Sequence, residues 1–404
     1  MRILMVNKFL YGRGGSESYM LKLGEELKEA GHEIEYFGMF DEKNLVGNSA
    51  NAYTSNMDFH STGIKRFLYP FRIIYSREAY KKISQVLDKF KPDIVHMNNI
   101  NFQLTPSIIY AVKKRNIPLV QTVHDYQMIC PNHLLYSFSE AKPCERCIKG
   151  SKANCIKYSC IHSSKIKSIL GVIEAKLYSL LKTYKKVDLY VCPSNFLENK
   201  LLSASEIYRG KTFTLHNFIE KKFTPVKEEN AKPYVVFVGR LSKEKGVELW
   251  AETARLLPEY SFVVAGNGPD GDCLKDIPNV ILKGFVAGAD LANLMGNASL
   301  LLAPSVCYEN CPLSILESHS FGVPVVTMNS GGMAELVSDN FDGCLANAPT
   351  AASVAEAIKR CLDKDLYKAL KQNCEQKSGE IMTVKEYCKI LVEKYNHLID
   401  ERQK

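Results

Sequence analysis

Hydrophobic and polar positions follow two recurring rhythms along this chain. Short β-branched runs occur at Ile3–Val6, Ile34–Phe37, Ile94–His96, Leu119–Val123 and Leu189–Cys192. A second series follows at Tyr234–Val238, Ser261–Ala265, Val280–Leu282, Leu300–Ala303 and Val323–Thr327. These runs are apolar almost without interruption, the pattern of strands covered on both faces. Stretches of helical period separate them. Glu17–Ala30 carries Met20, Leu23, Leu27 and Ala30 at helical spacing and meets a stop signal at Gly31. Strand and helix in regular alternation predict parallel sheets with helices on both sides, an α/β protein.

The alternation breaks once. Phe218–Pro233 contains the polar run Lys227–Lys232 between Pro225 and Pro233, which is linker composition. A chain of 404 residues is also too long for one ordinary core. The expected organisation is an N-terminal domain over 1–217, a linker over 218–232, a second domain over 233–375 and a C-terminal helix within 376–404 that crosses back to the first domain. Tyr387, Ile390, Leu391, Tyr395 and Leu398 supply that helix with its periodicity. With about five strands each, the halves read as two doubly wound, Rossmann-like domains. Ligands of such sheets bind at the carboxyl ends of the strands, so the expected site is a cleft between the domains.

Composition narrows the class. The chain is 46% hydrophobic and 24% charged, the balance of a globular protein. No apolar run reaches the 18 or so residues of a membrane span, and the opening MRILMVNKFL is too short for a secretory leader. Thirteen cysteines without a leader point to a reducing compartment. The expected location is therefore cytoplasmic, or peripheral on the inner face of a membrane. Charge is unevenly placed: residues 1–217 hold 31 Lys and Arg against 19 Asp and Glu, while residues 218–404 hold 21 against 25. Such asymmetry marks the first half as the one facing an anionic partner.

Chemistry gathers at the predicted strand ends. In Ser305–Glu317, SVCYENCPLSILE, an apolar strand gives way to a loop and then to a helix opened by Pro312. The amides of Cys311–Ser314 would form a helix N-terminus suited to phosphate. Glu309 would stand in the loop and Glu317 on the helix, placed to address two parts of one ligand. Read without neighbours, the pair fits a helix cap and a solvated helix residue equally well. In Gly239–Gly246 the forked Arg240 and the compact Lys245 suit a diphosphate, although a polar loop with solvated charges has the same letters. The turn Gly266-Asn267-Gly268-Pro269 follows the next strand. Gly12-Arg13-Gly14-Gly15 lies between the first strand and its helix and could offer amides to phosphate. It matches neither the dinucleotide fingerprint nor the P-loop, which counts against redox chemistry and nucleotide hydrolysis. His124, in Thr122-Val123-His124-Asp125, ends a strand where either a site residue or a structural histidine would sit.

In their order and spacing these motifs resemble family 4 glycosyltransferases, which are retaining enzymes of the GT-B fold. GRGGSE, TVHD, GRLSKEKG, AGNGP, ENCPLSILE, FGVPVV and Ser330-Gly331-Gly332 with Glu335 carry the likeness over nearly the whole chain. The resemblance implies a nucleoside-diphosphate (NDP) sugar as donor, with Arg240 and Lys245 neutralising the diphosphate and the departing nucleotide. It implies that Glu309 contacts hydroxyls of the transferred sugar, that Glu317 contacts the ribose, and that Cys311, Pro312, Leu313 and Ser314 line the phosphate or sugar. Gly266 and Asn267 join the donor site, Gly14 and Gly15 approach the diphosphate, and His124 bonds the sugar near the reacting centre. No metal is needed where Arg, Lys and a helix end carry the leaving charge. The two glutamates are then not a hydrolase's acid and nucleophile. A glycan or lipid-linked acceptor is implied. Other GT-B activities, such as nucleotide-sugar epimerisation or disaccharide synthesis, and non-catalytic sugar-nucleotide binding are the alternatives. Two departures stand out: Asn310-Cys311-Pro312 where relatives often have Gly-Phe-Gly, and His319 where a small residue is common.

Two features remain. Cys144, Cys147, Cys155 and Cys160, with Cys130 upstream, form a Cys-rich insertion near 130–162. The spacings suit a structural zinc site at those four residues, a disulfide or redox pair, or plain thiols. The helical stretch Lys165–Lys186 carries Ile166, Ile169, Ile173, Leu177, Leu180 and Leu181 with six Lys against one Glu, and Phe67–Lys91 is similar. Such helices suit an anionic membrane surface or bury their apolar stripe and expose a basic face. Nucleic acid is not expected, since no reader module appears.

Overall fold

A computed structural model describes residues 1–56, 74–220, 222–226 and 232–403. The aromatic and basic positions at 66, 67, 71 and 72, and residues 227–231 of the expected linker, lie outside the described residues.

The chain divides into two compact units. The first comprises Met1–Ser139, Cys144–His216 and Val384–Lys404, and the second Glu140–Pro143 and Asn217–Thr383. Six parallel strands build the sheet of the first unit: β1 (Arg2–Val6), β2 (Glu33–Phe37), β3 (Ile94–Met97), β4 (Leu119–Thr122), β5 (Leu189–Cys192) and β6 (Thr212–Thr214), in the order β2-β1-β3-β4-β5-β6. The second unit has β7 (Tyr234–Val238), β8 (Ser261–Ala265), β9 (Val280–Gly284), β10 (Leu300–Ala303), β11 (Val325–Met328) and β12 (Gly343–Ala346), in the order β9-β8-β7-β10-β11-β12. Both orders are doubly wound, so the α/β, Rossmann-like class expected from the sequence holds.

Each sheet has six strands rather than five. The two strands that periodicity missed, β6 and β12, both lie at sheet edges. β11 begins at Val325 rather than Val323, because Pro324 has no amide to give the ladder. In each unit the central strands carry the core. Val236 pairs with Val263 on one side and Leu301 on the other, and all three are buried. Trp250 closes one face of the second sheet, edge-on to Phe237 and Phe262 at ring-centroid distances of 6.4 and 5.2 Å. Each large apolar side chain so buried stabilises the fold by about 1.5–3 kcal/mol relative to exposure.

The final helix, Val384–Gln403, belongs to the first unit. Its polar side chains anchor it there. Tyr387 shares a 2.8 Å hydrogen bond with Tyr19, Tyr395 bonds Nδ1 of His96, and Arg402 Nη2 donates to both carboxylate oxygens of Asp188 at 2.9 Å. No helix among the described residues is long and apolar enough to cross a membrane.

Candidate active site

In an open parallel sheet the strand ends splay most where the winding reverses, and side chains from the two loops there converge. In the second unit that point lies between β7 and β10. The loops that follow them, 239–246 and 304–312, carry Arg240, Lys245 and Glu309.

Backbone contact joins these loops. Val306 and Cys307 donate their amides to the Glu244 carbonyl at 3.1 and 3.3 Å. Gly246 has φ +74°, and a Cβ there would stand 2.0 Å from the Pro304 carbonyl oxygen. Only glycine meets both demands. Lys245 is thereby held over the second loop, where its Nζ donates to Glu309 Oε1 and Ser305 Oγ donates to the same oxygen at 3.0 Å. Burial alone would push the Lys245 pKa down. Glu309 outweighs it, so the ammonium is held charged beyond its usual range. Arg240 is more exposed. Its Nη2 donates to Glu244 Oε1, which also accepts Ser242 Oγ at 2.7 Å. Glu244 is buried, which favours its neutral form, but Ser242, its own amide and Arg240 together lower its pKa.

The turn after β8 docks on the same loop. A Cβ on Gly266 would lie 1.8 Å from the Gly239 carbonyl oxygen, and one on Gly268 would lie 2.1 Å from that of Leu241. Leu241 donates its amide to Asn267 O at 3.0 Å. The second loop is closed from the other side by Gly331, whose φ is +62° and where a Cβ would fall 2.8 Å from the Glu309 carbonyl oxygen. Gly332 donates to that oxygen at 2.7 Å. The AGNGP and Ser330-Gly331-Gly332 motifs thus hold the Arg240 and Glu309 loops from opposite sides.

Glu317 lies on the helix Leu313–Ser320, capped by Pro312. The amides of Leu313 and Ser314 belong to its first turn and have no intrahelical acceptor. Cys311 is buried, and burial raises its pKa to about 12. Asn217 anchors it, giving its amide to Cys311 Sγ at 3.3 Å and its Nδ2 to Cys311 O at 2.9 Å. His319 is fully buried behind this helix. Its Nε2 meets the Asp342 carbonyl at 3.2 Å, and burial lowers its pKa to about 4. Asp342 is in turn bonded by Lys377. The bulky departure at 319 is therefore a neutral histidine in the packing, not a ligand-facing group. Glu244, Ser242, Ser305 and Asn217 were not singled out from the sequence. Ser242 and Glu244 sit inside the GRLSKEKG run, which is the signal that could have found them.

Replacing Gly246 with Ala is expected to destabilise the second unit by about 2–4 kcal/mol, through left-handed backbone strain and overlap with Pro304. Denaturant unfolding checks this, and wild-type stability would contradict it.

The first unit holds Gly14, Gly15 and His124. Gly14 caps the helix Gly15–Glu29 in extended backbone, and its carbonyl accepts the Ser18 amide at 3.0 Å. Buried Asn7, just past β1, fixes this turn: its Nδ2 donates to Glu17 Oε1 at 3.2 Å and its Oδ1 accepts the Asn99 amide at 3.0 Å. Asn99 Nδ2 reaches Ser16 Oγ at 2.9 Å. His124 follows β4. Asn98 Nδ2 points at the Val6 carbonyl, so its Oδ1 faces His124 and accepts the Nε2 proton at 2.9 Å. Burial lowers the pKa of His124 to about 3, so the imidazole is neutral.

Zinc is one of three readings of Cys144, Cys147, Cys155 and Cys160. Among the described residues no group of three or more His, Cys, Asp or Glu is placed to hold a metal ion. Cys144 Sγ accepts from Arg146 at 3.9 Å, whereas Cys147, Cys155 and Cys160 pack with Val172, Ile156 and Ile161 as an apolar cluster. All thirteen cysteines are free thiols.

Comparison with known proteins bears on the family and the fold. A 42.6 kDa protein of the Klebsiella pneumoniae cps region, of uncharacterised activity, is 25% identical over 353 residues, 83% of this chain and 87% of its own. The Escherichia coli UDP-Gal:alpha-D-GlcNAc-diphosphoundecaprenol alpha-1,3-galactosyltransferase is 25% identical over 277 residues, 55% of this chain and 70% of its own. Among solved structures, sucrose-phosphate synthase from Thermosynechococcus elongatus superposes with a TM-score of 0.72 at 17% identity, over 99% of both chains. Anabaena HepE in complex with UDP and glucose superposes at 0.67 and 17% identity, over 98% of this chain and 100% of its own. Residues 218–377 match the family described as glycosyl transferases group 1. Residues 13–223, more than half of the chain, match glycosyltransferase family 4, and the chain belongs to that family of GT-B glycosyltransferases.

Proposed function

We propose that this protein transfers a hexosyl group, with retention of anomeric configuration, from an NDP-sugar to a membrane-proximal, lipid-linked glycan during surface polysaccharide assembly. The observation that carries the donor half is the Lys245–Glu309 pair at the winding reversal of the second sheet, with Arg240 on the adjoining loop. A fixed ammonium and a guanidinium beside a helix N-terminus suit a diphosphate whose charge grows as the sugar leaves. The acceptor half is supported by the Escherichia coli relative, which acts on a diphosphoundecaprenol-linked sugar.

In this reading the bond between the anomeric carbon and the donor's phosphate oxygen breaks, and that oxygen leaves with the electron pair. The acceptor hydroxyl attacks from the same face and its proton passes to the leaving phosphate. Arg240 and Lys245 stabilise the diphosphate, and the Leu313 and Ser314 amides assist them. Glu309 orients the sugar hydroxyls and Glu317 the ribose. Gly266, Asn267, Cys311 and Pro312 shape the donor site. Gly14, Gly15 and His124 of the first unit are assigned to the diphosphate and the sugar, with neutral His124 offering a hydrogen-bond acceptor rather than a charge. With the leaving charge met by these groups, turnover is expected to persist in chelator.

Glu309→Gln keeps the shape of the side chain and removes its charge. It is expected to leave donor binding within a few-fold of wild type and to lower turnover about 10²–10³-fold. Release of nucleoside diphosphate from a matched donor and acceptor measures this, and wild-type turnover would refute the role given to Glu309.

A further inference from the structure

The helix Lys165–Leu180 of the first unit is turned the opposite way from an ordinary surface helix. Its packed face holds Ser168, Gly171, Val172, Glu174 and Tyr178. Ser168 Oγ accepts the Ile161 amide at 3.1 Å, Gly171 leaves room that the Ile161 side chain fills, and Tyr178 bonds the Ile74 carbonyl. Its outward stripe is apolar: Ile166 is 73% exposed and Leu180 80%, with Ile169, Ile173 and the adjoining Leu181 also exposed. A helix in water normally buries such a stripe, so exposed isoleucines and leucines at helical spacing mark a surface that meets something else.

Charge says what it meets. Lys165, Lys167, Lys176, Lys182, Lys185 and Lys186 are all exposed along this helix and the turn after it. Residues 146–187 hold ten basic residues and a single acid, Glu174, which is buried with Gln127 Nε2 at 3.4 Å from its Oε1. Within this segment the exposed charged side chains are therefore all basic, and its single carboxylate is buried. Aliphatic side chains that enter the acyl boundary while lysines reach the phosphates above it are the features of an interfacial helix.

We infer that the exposed Ile166–Leu181 face is the membrane-docking surface of the first unit, seating on an anionic phospholipid bilayer with its lysines on the headgroup phosphates. The inference rests on the membrane-proximal acceptor proposed above and deepens it by naming the surface and the lipid chemistry.

The test is sedimentation of the full chain with vesicles of mixed phosphatidylglycerol and phosphatidylcholine, and with vesicles of phosphatidylcholine alone. Binding is expected to the anionic vesicles and to fall as salt rises. I166Q with I173Q and L180Q, and separately K176E with K182E and K185E, are each expected to weaken partitioning at least about tenfold. All six positions are exposed, so donor-induced thermal stabilisation should be unchanged in both variants. That readout separates failure of the docking face from failure of the donor site. Binding indifferent to both variants, or no binding to anionic vesicles, overturns the inference. So does self-association of the wild type that vanishes with the glutamines, which would make the face an interface between copies of this chain.

Discussion

Replacement of Arg240 and Lys245 together by Ala is expected to lower sugar transfer at least about 10³-fold, since each removes a fixed positive group from a developing diphosphate charge. Lys245 should account for most of this loss. Its ammonium is partly buried and fixed by Glu309, whereas the Arg240 side chain is 64% exposed and pays side-chain entropy to engage. Lys245→Arg should not rescue, because a planar fork cannot occupy the position of a compact ammonium closed in by Ser305 and Glu309. A structural consequence separates the two functions of Lys245. Lys245→Met leaves Glu309 without its cation and should destabilise the second unit by about 1–2 kcal/mol. Adding Glu309→Gln should recover most of that stability and none of the turnover. Single-turnover rates and denaturant unfolding on the four proteins of this cycle check both statements. Retained turnover in Lys245→Met would remove the basis for the donor site.

Acid should destabilise the protein at mild pH. Burial holds the pKa values of His96, His124, His133 and His319 at about 3, 3, 4 and 4. His96 sits between Thr122 and Tyr395. His133 is stacked on Phe102 with Nδ1 accepting from Asn101, and its Nε2 has no hydrogen-bond partner. A group whose folded pKa is depressed below about 6.5 binds its proton in the unfolded chain first, so stability falls as pH drops through that window. From pH about 6.5 to about 5 each histidine removes about 1–2 kcal/mol. Glu174 acts in the opposite sense. Burial raises its pKa to about 8, so the fold holds a proton that the unfolded chain loses above about 4.5, and acidification over the same interval returns about 2 kcal/mol. The net expectation is a loss of roughly 4 kcal/mol between pH about 6.5 and about 5. Unfolding curves across that range test it, and a flat profile would mean that these histidines are not buried as neutral groups.

What the sequence made legible follows from the physics of each element. Central strands were readable because burial on both faces forces unbroken apolar runs. β6 escaped because Thr212-Phe213-Thr214 is short and alternates, and β12 because Gly343-Cys344-Leu345-Ala346 has no β-branched residue. Periodicity located the helix Lys165–Leu180 but could not assign its faces, since small and polar residues pack inward there and isoleucines face out. At the candidate site the charged letters were visible, while their geometry was not. The positions of Gly246, Gly266 and Gly331 are dictated by carbonyls of Pro304, Gly239 and Glu309, contacts that only folding creates. The role of Glu244 as partner to Arg240 was hidden for the same reason. His319 read as an unexplained departure, and Asp342 with Lys377, distant in sequence, supplies the polar setting it needs.

The donor claim is tested most directly by calorimetric titration of uridine, guanosine and adenosine diphosphate sugars into the wild type and into the Arg240→Ala, Lys245→Ala double variant. One nucleotide class is expected to bind the wild type, and its affinity to fall at least about tenfold in the double variant as the diphosphate loses both cations. Binding of equal strength in the two proteins, or of no nucleotide sugar to the wild type, would contradict a donor site built on Arg240, Lys245 and Glu309.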